Sequence, residues 1–428
     1  MIEKIENQIE YERQRFKSAK MLVWACFFLY VMMMSSKNVY TAELVTLQSV
    51  FGTSKAQTSL AMTFYFITYA ITQMILSVLF GIINLRIFLF VTGSISAILT
   101  IVLGLSSSIT TAYILCGVNG VLQAEIYSGC MGILAKYLPL KLLPYANRVM
   151  QAGAVWGVIS YGCSAFFVGQ GLWNLPFILL GGLFLFSAVF FFYAALRMKK
   201  FPSAVLKKNE PTPEKQIEKE KPFMEVNSKK DKILFFVLMV GITGLSNIAY
   251  YVVVNWVPDM LHAVFNMPQE YSILITIVVP IISATCSIIV ISLCEKYEKI
   301  LKISGVFLAT SIFLIFPLTF LYNYNLILSV VFIAISLATN VGGRAVFMGV
   351  MAFKMRTRIN SGSYSALLNA FGAIIAGVIP PLIGTFIDSF DSTSGFGWSY
   401  LIASIIGAMA IVFLSVFAVW KKKQAKKL

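Results

Sequence analysis

Apolar stretches long enough to cross a membrane recur along the chain, separated by short polar breaks. They run at 21–41, 57–82, 87–105, 111–134, 149–168 and 175–196. After a hydrophilic gap they resume at 233–257, 273–293, 303–322, 326–351, 365–387 and 400–420. A helix needs roughly 20 apolar residues to span bilayer hydrocarbon, whereas a barrel strand alternates over about 10. These runs do not alternate. In lipid, a helix has the further advantage that it satisfies its own backbone hydrogen bonds. The pattern therefore predicts an all-α membrane protein with twelve transmembrane helices in two six-helix halves. The parts are a tail at 1–20, a first half at 21–197, a linker at 198–231, a second half at 232–420 and a basic tail at 421–428.

Composition supports lipid as the solvent. The chain has 428 residues, 58% of them hydrophobic and 12% charged, against roughly 45–50% and about 25% in soluble domains. A net charge of +16 invites a nucleic-acid reading until the charges are placed. All but three of the 34 lysines and arginines lie in the two tails, the gap at 197–232, and alternate short loops such as those holding Arg86, Lys136, Lys299 and Arg356. Lys55 alone stands in the opposite loops, and Lys37 and Arg344 fall inside spans. This is the positive-inside asymmetry. It predicts a multi-pass cell-membrane protein with both termini and the linker cytoplasmic, its basic loops near anionic lipid headgroups. Topology accounts for the basic excess, so no nucleic-acid partner is expected.

The first twenty residues are charged and lack an apolar core, so the first span itself is expected to be the insertion signal. The six cysteines lie in or at the ends of spans without a CxxC pair, as small buried hydrophobes do. The single histidine, His262, falls in an outer loop. There is no P-loop, HExxH helix, GxSxG elbow or carboxylate cluster of metal-binding spacing. Enzyme activity, a catalytic residue, a metal and a cofactor are therefore not expected.

Charges inside spans carry the functional signal, since each costs about 2.5–3.5 kcal/mol at the bilayer centre on insertion scales. Ser336, Asn340 and Arg344 recur every four residues and share a helix face. A guanidinium there suits carboxylate or phosphate through two parallel hydrogen bonds; the alternatives are a structural ion pair or a head snorkelling to the interface. Lys37 either faces a cavity or snorkels to the outer headgroups. Glu125, in the fourth span, either exchanges a proton or pairs within its own half. On an unbroken helix it stands about 200° from Gln123, so the two are not expected to share a cavity. Softer candidates for a solute site are Tyr69 and Gln73 in the second span, Gln123 in the fourth, Asn247 and Tyr251 in the seventh, and Gln151 and Asn369 at matching places in the fifth and eleventh. Amides of this kind also serve as interhelical glue.

The 6 + linker + 6 layout, with weak echoes between halves (Gly171-Leu172-Trp173 and Gly395-Phe396-Gly397-Trp398), resembles major facilitator transporters, whose substrate sits between two rocking halves. Lys37-Asn38, Tyr251 to Pro258 with its Trp256-Val257-Pro258 ending, Gln123 with Tyr127 and Cys130, and Phe386 to Phe390 followed by Trp398 resemble the organophosphate:phosphate antiporter branch. That branch's phosphate-binding arginines are matched here by Ser36 and Tyr250, its second-helix lysine by Gln73, and its fifth-helix histidine by about Ala154. The superfamily's Gly…Asp-Arg loop after the second span is reduced here to Gly81 and Arg86, with no Asp. Lys37 with Glu125 is also similar to the basic–acidic pair of anion:cation symporters. The resemblance implies a monomeric secondary transporter of a small organic anion, a carboxylate or sugar acid rather than a phosphate ester. Proton symport through Glu125 is the implied coupling, with anion exchange as the other mechanism. Two rival readings are a transporter-like solute sensor and an efflux transporter of amphipathic compounds.

Overall fold

The computed structural model describes residues 2–425, apart from 80–82, 139–141, 143–144, 147–148, 151–152, 154–155, 202–222, 225, 227, 349, 356–360 and 391–392. The chain is an all-α multi-span membrane protein. Eleven helices among the described residues are long and apolar enough to cross a membrane, and Ile159–Val168 is a shorter apolar one. The expected twelve is thus not reproduced as a count. The difference falls in the expected span 149–168, where residues 151–152 and 154–155 lie outside the described set. Most of the expected linker also lies outside it.

Helix α1 (Ile2–Ala42) runs unbroken from the charged tail through the first span, and α2 (Leu44–Phe51) follows after a break at Glu43. Helices α3 (Lys55–Leu79), α4 (Leu85–Gly104), α5 (Ile109–Gln123), α6 (Ile126–Tyr137), α7 (Ile159–Val168) and α8 (Leu175–Met198) complete the N-terminal half of the chain. Its C-terminal half comprises α9 (Lys229–Val254), α10 (Val257–Phe265), α11 (Gln269–Thr276), α12 (Val278–Tyr297), α13 (Ile300–Ile315), α14 (Leu318–Leu321), α15 (Leu326–Met348), α16 (Val350–Lys354), α17 (Ser361–Asp388) and α18 (Ser394–Ala425). Several expected spans are therefore two helices in series. The ninth breaks at Phe316–Pro317, where proline removes a backbone donor. The fourth breaks at Ala124–Glu125, where Glu125 takes φ −116°, ψ 10°. His262 lies on α10 rather than in a loop, exposed, with its Nδ1 2.8 Å from the Met267 carbonyl oxygen.

Both tails lie at one face of the molecule. Tyr11 packs on Phe201, 5.3 Å between ring centroids, and Gln424 donates to Asp231 at 3.2 Å. Toward this termini face the core divides. Leu22, Leu134, Phe191 and Met198 belong to a cluster drawn from the N-terminal half alone. Phe235, Met351, Tyr364 and Phe417 belong to one drawn from the C-terminal half alone. At the opposite face a single cluster mixes the halves: Val39, Tyr40, Leu44 and Leu103 pack with Trp256, Val257, Ile387 and Phe396. The halves are closed against each other at one face and have separate cores at the other.

Small residues permit that closure. Helix α17 lies so close to α3 that a Cβ at Gly377 would sit 2.9 Å from the Phe66 Cβ and 3.3 Å from the Thr63 backbone. The Thr63 hydroxyl donates to the Gly377 carbonyl. One turn and two turns earlier on α17, Ala373 and Ala370 pack against Ala70, Phe66 and Tyr69. Tight approach through small residues is the usual way for membrane helices to gain dispersion energy, because lipid gives no hydrophobic drive between them.

Candidate functional site

Arg344 projects from α15 toward α9. Its guanidinium lies over the Tyr250 ring, 4.7 Å from the centroid, and its Nη1 donates to the Asn247 Oδ1. Asn247 is itself fixed, donating to the Thr243 carbonyl at 2.9 Å. Tyr251, at right angles to Tyr250, is also close enough to interact with the arginine charge. Tyr161 of α7 lies near both tyrosines, which brings the N-terminal half up to this site. Among the described residues no carboxylate pairs with Arg344. The groups around it are a π-face, an amide and phenols, which orient a guanidinium without neutralising it.

The rest of the expected stripe does not share this site. Ser336 donates to the Ser311 carbonyl of α13 at 2.8 Å. Asn340 is buried, its Oδ1 has no hydrogen bond, and it borders a void of about 10 Å³ with Ser246, Leu308, Ser311 and Gly407. A 3.6-residue turn drifts about 40° every four residues. Eight residues therefore separate an arginine reaching α9 from a serine facing α13.

In the N-terminal half, Gln123 anchors a polar network instead of facing open space. It accepts from the Tyr65 hydroxyl at 2.7 Å and donates to Ser96 Oγ at 2.8 Å and Ser36 Oγ at 3.3 Å. Ser96 donates to Asn119 at 2.8 Å, and Ser36 and Thr100 are 2.6 Å apart. Four helices are joined this way, and Gln123 is 1% exposed. Gly120 lets α5 approach: a Cβ there would meet the Tyr65 carbonyl oxygen at 2.1 Å.

Glu125 differs from the expectation of a separate face. Because the helix breaks at 124–125, the 200° geometry does not apply across it. Gln123 reaches Tyr65, while Glu125 lies near Tyr69, one turn further along α3, and near Ser128. Glu125 is 2% exposed and neither oxygen makes a hydrogen bond. Tyr65 and Tyr69 stack with centroids 5.9 Å apart, and Tyr30 packs on Tyr127 at 4.9 Å, beside Tyr69. Gln73 is buried one turn beyond Tyr69, with its Oε1 unpartnered. Lys37 is partly buried, its Nζ 5.7 Å from the Phe66 centroid. No ion pair joins it to Glu125 among the described residues. Asn369 is exposed on α17, and Gln151 lies outside the described residues.

The seal at the far face is not marked by any motif in the sequence. Lys55, the lone basic residue of the opposite loops, bridges Asp259 at 3.2 Å and Asp388 at 3.4 Å. It therefore ties the start of α3 to α10 and α17. Gln269 donates to Thr46 Oγ1 at 3.0 Å, a second polar tie between the halves. The signal in the sequence was the isolation of Lys55; its partners stand more than 200 residues away.

A split core, a face sealed by ion pairs and a charged group at the junction define a two-lobed membrane carrier. Residues 23–380 match the family model of the Major Facilitator Superfamily. The chain belongs to that superfamily, and it is a transporter-type protein rather than an enzyme. No curated protein sequence matches it. Among solved structures, a bacterial homologue of the human lysosomal transporter Spinster, inward-facing and unoccupied, is similar with TM-score 0.78 at 14% identity, covering 95% of this chain and 98% of that one. The D-xylose-proton symporter has TM-score 0.65 at 14% identity, covering 92% and 96%. The nucleoside transporter NupG has TM-score 0.65 at 13% identity, covering 94% and 99%.

Proposed function

We propose that the chain is a secondary transporter that moves a small organic anion by alternating access, with Arg344 as the anion-binding residue. The observation that carries this is a guanidinium at the junction of the halves, oriented by Asn247 and Tyr250, with no described counter-ion. A bare charge in low dielectric is costly, and a carboxylate or sugar acid would supply what the protein omits. Tyr69, Tyr251, Asn247, Lys37, Gln73 and Asn369 are the accompanying candidates. Gln123 and Asn340, with their neighbours inside one half, are better suited to positioning than to contact.

The missing arginines of the organophosphate branch argue for a monoanion over a phosphate ester. The Lys37/Glu125 likeness to anion:cation symporters supports proton coupling at Glu125, which is buried and free of hydrogen bonds beside Tyr69. In this reading the termini face is cytoplasmic, as the basic loops imply. The Lys55 seal then closes the outer side.

The test is thermal stabilisation of detergent-purified protein by sugar acids, short carboxylates, sugar phosphates and inorganic phosphate. A ligand at about 100 times its Kd stabilises by about 2.7 kcal/mol. A carboxylate response that vanishes in Arg344→Ala is the expected result. Stabilisation by D-xylose or nucleosides instead, unchanged by that substitution, would overturn the anion assignment. Binding without flux in proteoliposomes would move the protein to the sensor reading.

A further inference from the structure

Glu43 stands at the break between α1 and α2, one residue beyond the end of the first span. It is 0% exposed, and neither carboxylate oxygen makes a hydrogen bond. Its polar surroundings are the hydroxyls of Ser164 and Thr46, and the Ser164 Oγ is likewise without a partner. The residues on either side of this pocket form the seam. Ala42 and Ala165 pack on Ile273 of α11, and Thr46 receives the Gln269 bond. When α11 leaves α2 and α7, water reaches Glu43.

Among the described residues no cation compensates the carboxylate. On α7 the titratable neighbours are Cys163, which faces Glu43, and Tyr161, which is turned to Tyr250 and Tyr251. Helix α2 has none. On α3, Lys55 is committed to Asp259 and Asp388. On α11, Glu270 lies against Gly169 and Tyr271 is exposed. On α1, Lys37 sits two turns back over Phe66. An ionised carboxylate walled in this way is poorly solvated, which favours the neutral acid.

We propose that Glu43 is a proton-binding site built into the seal: it holds a proton while the halves are closed here and releases it to water as they part. The proposal rests on the alternating-access reading, and it places a proton at a carboxylate distinct from Glu125. Burial pushes the Glu43 carboxyl up from 4.5 to about 8, opposed in part by Ser164 and Thr46. The sign follows. The closed form binds the proton more tightly, so closure is favoured most below the ordinary carboxylate value. That advantage falls as pH rises and is gone above about 8. Within that window the closed-to-open ratio changes by up to about tenfold per pH unit.

The test uses full-length protein in lipid nanodiscs with two readouts. One is the infrared carbonyl band of a protonated carboxylic acid, followed from about pH 6 to about pH 9. The other is the distance between spin labels at Ser49 and Tyr271, exposed residues on either side of the seam, with Cys163 and Cys286 replaced by serine. The expected result is a carboxylic-acid band in the wild-type-minus-Glu43→Gln difference spectrum that fades with rising pH, and a seal that opens with rising pH in wild type and Glu43→Asp but stays closed at every pH in Glu43→Gln. A difference spectrum without such a band overturns the assignment, as does a Gln variant that opens with pH like wild type. A pH response that requires sodium would overturn it in favour of a cation site. Neither readout needs a substrate, so failure of the anion reading and failure of this one are told apart.

Discussion

The two polar centres of the molecule are built on opposite principles. Around Gln123 the polar side chains bond to one another: Tyr65, Ser96, Ser36, Thr100 and Asn119 form a network within one half. Around Arg344 the amide and the aromatic face orient the charge, and no described carboxylate cancels it. Closed networks hold helices together, and their value in membranes is modest because the unfolded segments also find partners. An uncancelled charge at a junction of moving parts has a use only if something else supplies the opposite sign. Burial alone does not separate the two, since Asn247, beside Arg344, is as hidden as the network is. The inventory of partners does.

The comparison is broken most directly at Arg344. Arg344→Ala is expected to abolish anion-induced stabilisation, a loss of at least 100-fold in affinity, or about 2.7 kcal/mol, while the protein still inserts and elutes as a monodisperse species. Arg344→Lys should recover little, because a point charge lacks the fork that Asn247 and Tyr250 orient. Equal binding by Arg344→Ala would place the solute elsewhere.

The next effect belongs to the seal. Gly377→Leu forces a side chain into the contact with Phe66 and the Thr63 backbone, an overpacking worth about 1–3 kcal/mol. The closed population at that face should fall by about tenfold or more, read as a longer Ser49–Tyr271 distance. Lys55→Ala acts in the same direction. It leaves Asp259 and Asp388 facing each other without their shared cation, and the opening it causes should shrink in acid as the carboxylates neutralise.

Gln123→Leu probes the closed network instead. It should lower thermal stability by about 1–2 kcal/mol and leave the order of preference among anions unchanged. A change of ligand selectivity in this variant would mean that the network belongs to the site. The smallest effect is expected at Tyr250→Phe, which keeps the ring over the guanidinium and removes only a phenol. Affinity should change by less than about tenfold, well short of the loss in Arg344→Ala.

Solvent and broad plan are legible in the order of residues alone. Apolar runs of bilayer length leave no other folded option for a backbone that must satisfy its hydrogen bonds in lipid. Rare charges inside those runs are conspicuous because insertion penalises them, which is why Arg344, Lys37 and Glu125 stood out. The sequence also made Lys55 odd without giving it a purpose. Which polar residues are satisfied depends on how the helices pack. Gln123 and Arg344 read alike as polar positions in apolar spans, and their difference lies in partners contributed by other helices. The helix breaks at Glu43 and Glu125 were equally hidden, since no proline or glycine marks either residue, and each break re-aims a carboxylate. Periodicity fixes a side chain's direction only while the helix continues. Past a break, direction is set by packing, and packing joins residues such as Lys55 and Asp388 that the chain keeps far apart.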